Sequence, residues 1–282
     1  MNRRKSNIEL EIKKSYNTGT ITLTKQSLVT IPELLSDLSH VRSLNLDDNK
    51  ICYLDCDKLP PCIEQLFISN NSIKTLDLTN APKTLKVVYA NYNKIDKLVT
   101  GDCEVTCLFV HNNSLEQVDK LSDNILVLKC SKNKITNFKD LNKLEHLDCS
   151  NNRIKHFSGI HNLRVLDISN NPLESLTNLN KNMEMVVLKN TKLKTSTNID
   201  SKLVFAKHCT GLPKDVETYL KSKYAVIIQS KVKSHILQKK YKFLKVIRDL
   251  EDLNNFKPNT NPKLLKVYFK KPNSKIARRF IL

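Results

Sequence analysis

Cysteine and histidine are the residues of this chain that could bind a metal, form disulfides or transfer protons. The 282 residues include eight cysteines, at positions 52, 56, 62, 103, 107, 130, 149 and 209. Zinc sites need Cys-x-x-Cys or Cys/His clusters, whereas the tightest spacing here is Cys-x-x-x-Cys, at Cys52/Cys56 and Cys103/Cys107. No second pair or nearby His completes a tetrahedral site at either. We therefore expect reduced thiols and no metal site.

Acid–base and nucleotide chemistry find little support. His146 and Asp148 lie two residues apart and could form an acid/base pair, but no nucleophile or metal group accompanies them. The four glycines are far apart, which excludes glycine-rich phosphate loops. Uninterrupted apolar runs reach only four residues, whereas a membrane span needs about 20. We predict no cofactor, no enzymatic activity, no membrane span and a cytoplasmic location.

These residues lie within a sequence repeat. The segment LEHLDCSNNRIKHF, residues 144–157, recurs as LRVLDISNNPLESL, residues 163–176. The same pattern predicts nine units between residues 21 and about 196, each 19 to 23 residues from the next. Gln26 and Thr191 occupy the asparagine position in the end units, and the intervening units carry Asn49, Asn71, Asn93, Asn113, Asn133, Asn152 and Asn171.

The repeat resembles the leucine-rich-repeat superfamily, whose pattern LxxLxLxxNxLxxL is met in seven units and partly in the end ones. The resemblance implies an α/β repeat fold: a solenoid with a curved parallel sheet on its concave side, over residues 21–200. Such short repeats favour extended or 3₁₀ segments on the convex side. Each asparagine is expected to satisfy buried backbone groups at a turn. Residues 1–20, in which Ile8, Leu10 and Ile12 alternate with charged residues, are predicted to form a capping strand.

The residue between the two inward apolar positions of each strand should face the concave side. That row runs Thr22, Asn45, Phe67, Tyr89, Phe109, Lys129, Asp148, Asp167 and Val187. This row predicts an exposed aromatic patch formed by Phe67, Tyr89 and Phe109, with Tyr92 and His111 beside them. It also predicts a polar rim formed by Asp148 and Asp167. The rings could simply hold neighbouring strands together, but we favour a protein-binding site.

The C-terminal region is strongly basic. The formal net charge is +19, of which residues 201–282 contribute +15 and residues 21–200 only +1. Helical spacing predicts a basic amphipathic helix between about Lys214 and Leu253, within a capping region 201–253. Residues 254–282 should form a loosely ordered basic tail. Inside the helix, Ile228, Gln229, Lys233, Lys239, Lys240 and Tyr241 resemble the calmodulin-binding IQ motif, although Ser234 and Gln238 depart from it.

The leading hypothesis is therefore a non-enzymatic scaffold that binds a protein on its concave face. Lysine far outnumbers arginine and asparagine is abundant, a usage that suits an AT-rich genome. The chain could thus be a viral or pathogen-type host-interaction protein, acting in host cytoplasm. In the alternative, residues 214–282 bind nucleic acid or anionic lipid, or a calmodulin-like protein grips the IQ-like helix.

Overall fold

The computed structural model describes residues 2–139, 141, 143–158, 161–177, 179, 183–193, 195–196 and 203–205. The chain divides into two compact units, Met1–Pro213 and Lys214–Leu282. All described residues belong to the first unit. The predicted basic helix, the IQ-like residues and the C-terminal tail lie outside the described residues.

The N-terminal segment is a helix, Asn2–Thr18, so the predicted capping strand is wrong. Ile8 and Ser15 are buried, whereas Leu10 is 49% exposed. Positions seven apart share a helix face, while position 10 lies on another. Ile8 and Ser15 therefore mark the buried face of the helix, and Leu10 is not part of it. Gly19, at φ 65, ends the helix in a conformation that favours glycine, and its N–H donates to the Ser15 carbonyl at 2.7 Å.

Ten parallel strands form one sheet in simple chain order. They are Thr20–Thr22, Ser43–Asn45, Gln65–Phe67, Val87–Tyr89, Cys107–Phe109, Val127–Lys129, His146–Asp148, Val165–Asp167, Met185–Val187 and Leu203–Phe205. Each central side chain of the first nine strands is buried at 0–1% exposure, from Ile21 to Val186. Complete burial of such a side chain contributes about 1.5–3 kcal/mol, so stacking the repeats builds a continuous core.

Among the described residues, the return paths contain short extended segments and two 3₁₀ turns, Glu33–Leu35 and Cys56–Lys58. This confirms the expectation of few helices among the repeats. The extended segments form three small parallel sheets: Thr75–Asp77 with Lys97–Val99; Gln117–Val118 with Asn137–Phe138; and His156–Ser158, Ser175–Thr177 and Thr195–Ser196. The tenth strand of the main sheet, Leu203–Phe205, follows the last repeat recognised in the sequence. No asparagine marks that unit.

The seven asparagines of the repeat connect neighbouring units. Asn113 is typical: its Nδ2 donates to the carbonyls of Ala90 and Val110, both at 3.0 Å, and its Oδ1 accepts the N–H of Ile95 at 3.0 Å. Ala90 and Ile95 belong to the preceding repeat. One side chain thus satisfies backbone groups of two units where the chain turns away from the sheet.

The residue before each of these asparagines has a left-handed backbone. Asp48, Asn70, Asn112, Asn151 and Asn170 stand there with φ between 54 and 59. Asn and Asp tolerate this conformation better than other non-glycine residues. Tyr92 and Lys132 occupy the same position in their repeats, with φ 52 and 54. At these two positions the left-handed backbone costs free energy, and an asparagine there would reduce that cost.

Candidate binding surface

The strand register aligns the predicted concave row residue by residue. Thr22 pairs with Asn45, Asn45 with Phe67, and the alignment continues through Tyr89, Phe109, Lys129, Asp148, Asp167 and Val187 to Phe205. The residue two positions earlier in each strand lies on the same face. The sheet therefore presents two parallel rows of side chains.

Three aromatic rings of this row form a continuous stack. The centroids of Phe67 and Tyr89 lie 4.7 Å apart, with ring planes 4° from parallel. Those of Tyr89 and Phe109 lie 4.5 Å apart at 10°. Lys129 follows, with its Nζ 5.5 Å from the Phe109 centroid, within cation–π range. The stack thus ends on a lysine at one side and adjoins Asn45 at the other.

The expectation that all three rings are exposed is wrong. Tyr89 is 7% and Phe109 5% exposed, and only Phe67 is half-buried. Parallel strands lie about 4.8 Å apart, so stacked rings cover one another's faces, and Val87 and Cys107 pack beside them. The stack is therefore a rigid floor, with Phe67 its most accessible ring, and it holds neighbouring repeats together.

Tyr92 and His111 rise beside this floor. Tyr92 is 47% exposed and meets the half-buried His111 ring edge-on, with centroids 5.4 Å apart. Burial lowers the pKa of His111 from 6.5 to about 4; the Asp148 carboxylate opposes this shift, and Lys129 and Lys132 add to it. His111 is therefore neutral near pH 7. The pair offers an aromatic edge and an uncharged polar ring.

Asp148 and Asp167, the residues of the predicted polar rim, lie in register on adjacent strands. Both are half-buried, and each has one carboxylate oxygen engaged by its own turn. The Oδ1 of Asp148 accepts the N–H and hydroxyl of Ser150 at 3.0 and 2.8 Å, and Asp167 accepts from Ser169 in the same way. These bonds fix the direction in which the carboxylates point.

Two features near this surface were not predicted from the sequence. One is the left-handed backbone of Tyr92, although the aligned Asp48, Asn70 and Asn112 could have indicated it. The other is Asp47. Burial raises the pKa of its carboxyl group to about 7, and the nearby Asp48 adds to the shift. Its Oδ1 accepts the Ser69 N–H at 2.6 Å. Only the folded structure reveals how far this carboxyl is removed from water.

The cysteines show no metal-site geometry. In the described residues, no group of three or more His, Cys, Asp and Glu side chains could hold a metal ion. All seven described cysteines have free thiols, and only Cys52 is exposed. Burial raises the pKa of Cys130 and Cys149 well above the usual value, so both are protonated at neutral pH. No helix within the described residues is long and apolar enough to cross a membrane.

Comparison with known proteins supports the resemblance in part of the chain. Residues 143–181 match the family model for Leucine Rich repeats (2 copies). This match and the repeated geometry of the solenoid support the leucine-rich-repeat superfamily. No curated protein sequence matches the chain.

Solved structures with similar folds include YopM from Yersinia enterocolitica WA-314, at 19% identity and a TM-score of 0.39. The alignment covers 71% of this chain and 58% of YopM, so the chain spans little more than half of that relative. A Shigella effector LRR domain is 18% identical over 72% of this chain and 89% of its own, with a TM-score of 0.49. The LRR chain in a complex of Latrophilin 3, Unc5D and FLRT2 is 16% identical, covering 72% and 87%, with a TM-score of 0.48.

Proposed function

We propose that the chain is a non-enzymatic scaffold that binds a protein partner on the concave face. The partner rests on the floor formed by Phe67, Tyr89 and Phe109 and contacts Tyr92 and His111. The observation that carries this proposal is the position of Tyr92. A large aromatic side chain stands 47% exposed where the backbone favours asparagine.

The cost of Tyr92 argues against a purely structural role. A left-handed backbone costs an L-residue about 1–2 kcal/mol, and Asn pays less because its short side chain bonds locally. The repeats on either side carry Asn70 and Asn112 at this position. Strain that the fold does not need is concentrated at functional sites. We therefore infer that Tyr92 contacts a partner, and that this contact compensates for the free-energy cost of its left-handed backbone.

The stack gives the surface the rigidity that a binding site requires. Phe67 and the aromatic pair behind it are ordered before any partner arrives, so binding loses little side-chain entropy. Aromatic anchors on a rigid face supply much of the energy in protein interfaces. The charged end of the row, where Asp148 and Asp167 are half-buried, then fixes the orientation of the partner through directed hydrogen bonds and charge pairs.

A matched pair of tyrosines tests the proposal. Tyr92 is 47% and Tyr53 48% exposed, but Tyr53 lies on the return path of its repeat, away from the aromatic stack. Immobilised wild-type chain, Tyr92→Ala and Tyr53→Ala should be compared by affinity capture from cell extract with quantitative mass spectrometry. We expect specific partners to be lost with Tyr92→Ala and kept with Tyr53→Ala. Equal capture by all three chains would contradict the assignment.

The excess charge of residues 201–282, +15, favours a second candidate function. In it, this region binds a phosphate-rich partner such as nucleic acid or anionic lipid. Binding of single-stranded RNA or of vesicles containing phosphatidylserine should then fall steeply between about 50 and 200 mM salt. A calmodulin-like partner would instead bind a peptide of residues 225–241 saturably. A further hypothesis is that the partner on the concave face is a protein of a host cell. It is based on the abundance of lysine and asparagine in the sequence.

A further inference from the structure

One edge of the solenoid carries a row of positive charge. The residue after the repeat asparagine is basic in most of the units from the second to the ninth and small or Pro in the others. The basic members are Lys50, Lys94, Lys134, Arg153 and Lys192, and all five are exposed. Lys132 and Lys155 flank this row in the sixth and seventh units and are also exposed. We call Lys94, Lys132, Lys134, Arg153 and Lys155 the basic edge.

Backbone hydrogen bonds hold these residues in register from repeat to repeat. The N–H of Lys94 donates to the Ile73 carbonyl at 3.0 Å, that of Lys134 to Leu115 at 2.8 Å, and that of Arg153 to Ile135 at 2.9 Å. Successive repeats are about 4.8 Å apart. Four cations of the sixth and seventh units are therefore concentrated within adjacent turns, and Lys94 lies about 14 Å from Arg153 along the edge.

At the opposite edge of the sheet, positive and negative side chains are paired. There, several charged residues just before the strands form ion pairs with residues of opposite charge in the next repeat. Arg42 lies 3.6 Å from Glu64, and Arg164 lies 3.5 Å from Glu145 and 2.6 Å from Glu184.

The basic edge has no such arrangement. Within the part of the chain that the structure describes, none of its five side chains pairs with a carboxylate. The acidic residues in the neighbouring column, Asp96, Glu116 and Glu174, belong to the fourth, fifth and eighth units. The sixth and seventh units have Thr136 and Lys155 there instead. The near-neutral total of residues 21–200 thus conceals a local concentration of cations.

We propose that the basic edge binds a short acidic segment of a polypeptide, rich in Asp or Glu. Like charges fixed on adjacent repeats repel one another, and carboxylates from a partner relieve that repulsion. A length of about 14 Å matches four to five residues of extended peptide at about 3.3 Å each. Most of these cations are lysines, whose compact ammonium groups interact with carboxylates as point charges.

A polypeptide fits this edge better than a nucleic acid. The cations lie in the row and at its flanks, with Tyr92 an aromatic neighbour in the fourth unit. Single-stranded nucleic acid, by contrast, binds along successive aromatic platforms in a basic groove. The edge borders the concave face, since Lys132 follows the concave strand Val127–Lys129 by three residues. One partner could therefore use both surfaces, but the acidic-segment site does not depend on the concave site.

Charge-reversed variants of the full chain test this site. The probe is a fluorescein-labelled peptide of ten glutamates, followed by fluorescence anisotropy at low salt. Lys134→Glu/Arg153→Glu reverses the centre of the edge. Lys25→Glu/Lys50→Glu makes the same change of net charge at two exposed residues of the first two units, far from the centre. The basic C-terminal region is identical in both variants, so the comparison cancels its attraction for the probe.

We expect the central variant to weaken peptide binding roughly tenfold relative to the control variant. Lys134→Ala/Arg153→Ala should show a smaller loss in the same direction, and unchanged thermal unfolding establishes that each variant is folded. Equal affinity of the two charge-reversed variants would overturn the proposal. So would binding of a ten-nucleotide uridine RNA that depends on Lys134 and Arg153 while the peptide does not. Because no concave-face residue is altered, either failure leaves the Tyr92 experiment unaffected.

Discussion

The ammonium group of Lys129 lies 5.5 Å from the centre of the Phe109 ring and closes one end of the aromatic stack. Lys129 is only 6% exposed, so its charge depends on the ring and on neighbouring polar groups. Lys129→Met keeps the apolar stem and removes the charge. We expect unfolding free energy to fall by about 1 kcal/mol in chemical denaturation. The same change at exposed Lys189 should cost less than about 0.5 kcal/mol, and equal losses would contradict a specific role for the ring contact.

Tyr89 is the central ring of the stack and should be the most sensitive to truncation. Tyr89→Ala removes a ring that is 7% exposed and leaves both neighbours without a stacking partner. We expect a loss of about 3–5 kcal/mol by thermal or urea unfolding. Tyr89→Phe preserves the stack and should cost less than about 1.5 kcal/mol. A small loss for the alanine variant would show that the stack contributes little to stability.

Tyr92→Asn should separate stability from binding. Asparagine suits the φ of 52 at this position, so we expect unfolding free energy to rise by about 0.5–1 kcal/mol despite the lost edge contact with His111. The reverse change, Asn112→Tyr in the next repeat, should destabilise by a similar amount. Denaturation curves of both variants provide the measurement. A clear loss of stability in Tyr92→Asn would mean that the tyrosine is retained for packing.

Asn113 should be far less replaceable than its neighbour Asn112. Asn113→Ala leaves the Ala90 and Val110 carbonyls and the Ile95 N–H without their side-chain partner, and we expect a loss of about 2–4 kcal/mol. Asn112→Gly is the control, because glycine accepts the φ of 54 and the change should be nearly neutral. Similar losses for both would show that the buried amide is not what connects the repeats.

Asp47 makes stability depend on pH. Its pKa is raised from 3.8 to about 7 by burial, so the folded state retains a proton that the unfolded state releases. Stability should therefore fall as pH rises from about 4 to 7. Asp47→Asn keeps an acceptor for Ser69 and should stabilise by about 1–2 kcal/mol at pH 8, with a smaller gain at pH 5. The measurement is the unfolding free energy of the wild-type chain and of Asp47→Asn at pH 5 and pH 8. A gain in stability that is the same at both pH values would show that the raised pKa of Asp47 is not its cause.

Sequence reasoning performed well where the repeat itself carries the information. Leu66, Leu108 and their equivalents recur at fixed spacing, so the parallel strands and the alignment of Phe67 with Tyr89 follow from the period. Reasoning from the period failed outside the repeats. The alternation of Ile8, Leu10 and Ile12 suggests a strand, and only the burial of Ile8 and Ser15, with Leu10 exposed, identifies the helix.

The candidate site shows the same division. The position of Phe109 on the concave face could be predicted, but its 5% exposure could not, because burial depends on the rings next to it. Likewise, Lys134 and Arg153 belong to one row in the aligned repeats, but the sequence does not show that, among the described residues, neither pairs with a carboxylate as Arg164 does. A periodic sequence therefore predicts neighbours more reliably than it predicts surface area or charge balance.

The asparagine side chains reach in one direction only. Asn113 bonds to Ala90 and Ile95 of the repeat before it, and Asn133 and Asn152 reach back in the same way, to Val110 and Cys130. A repeat leaving the ribosome can therefore dock at once on the one already made, because every partner of its amide is present. The solenoid is suited to assembly during synthesis, growing from its N-terminal helix, with only the newest repeat incomplete at any moment.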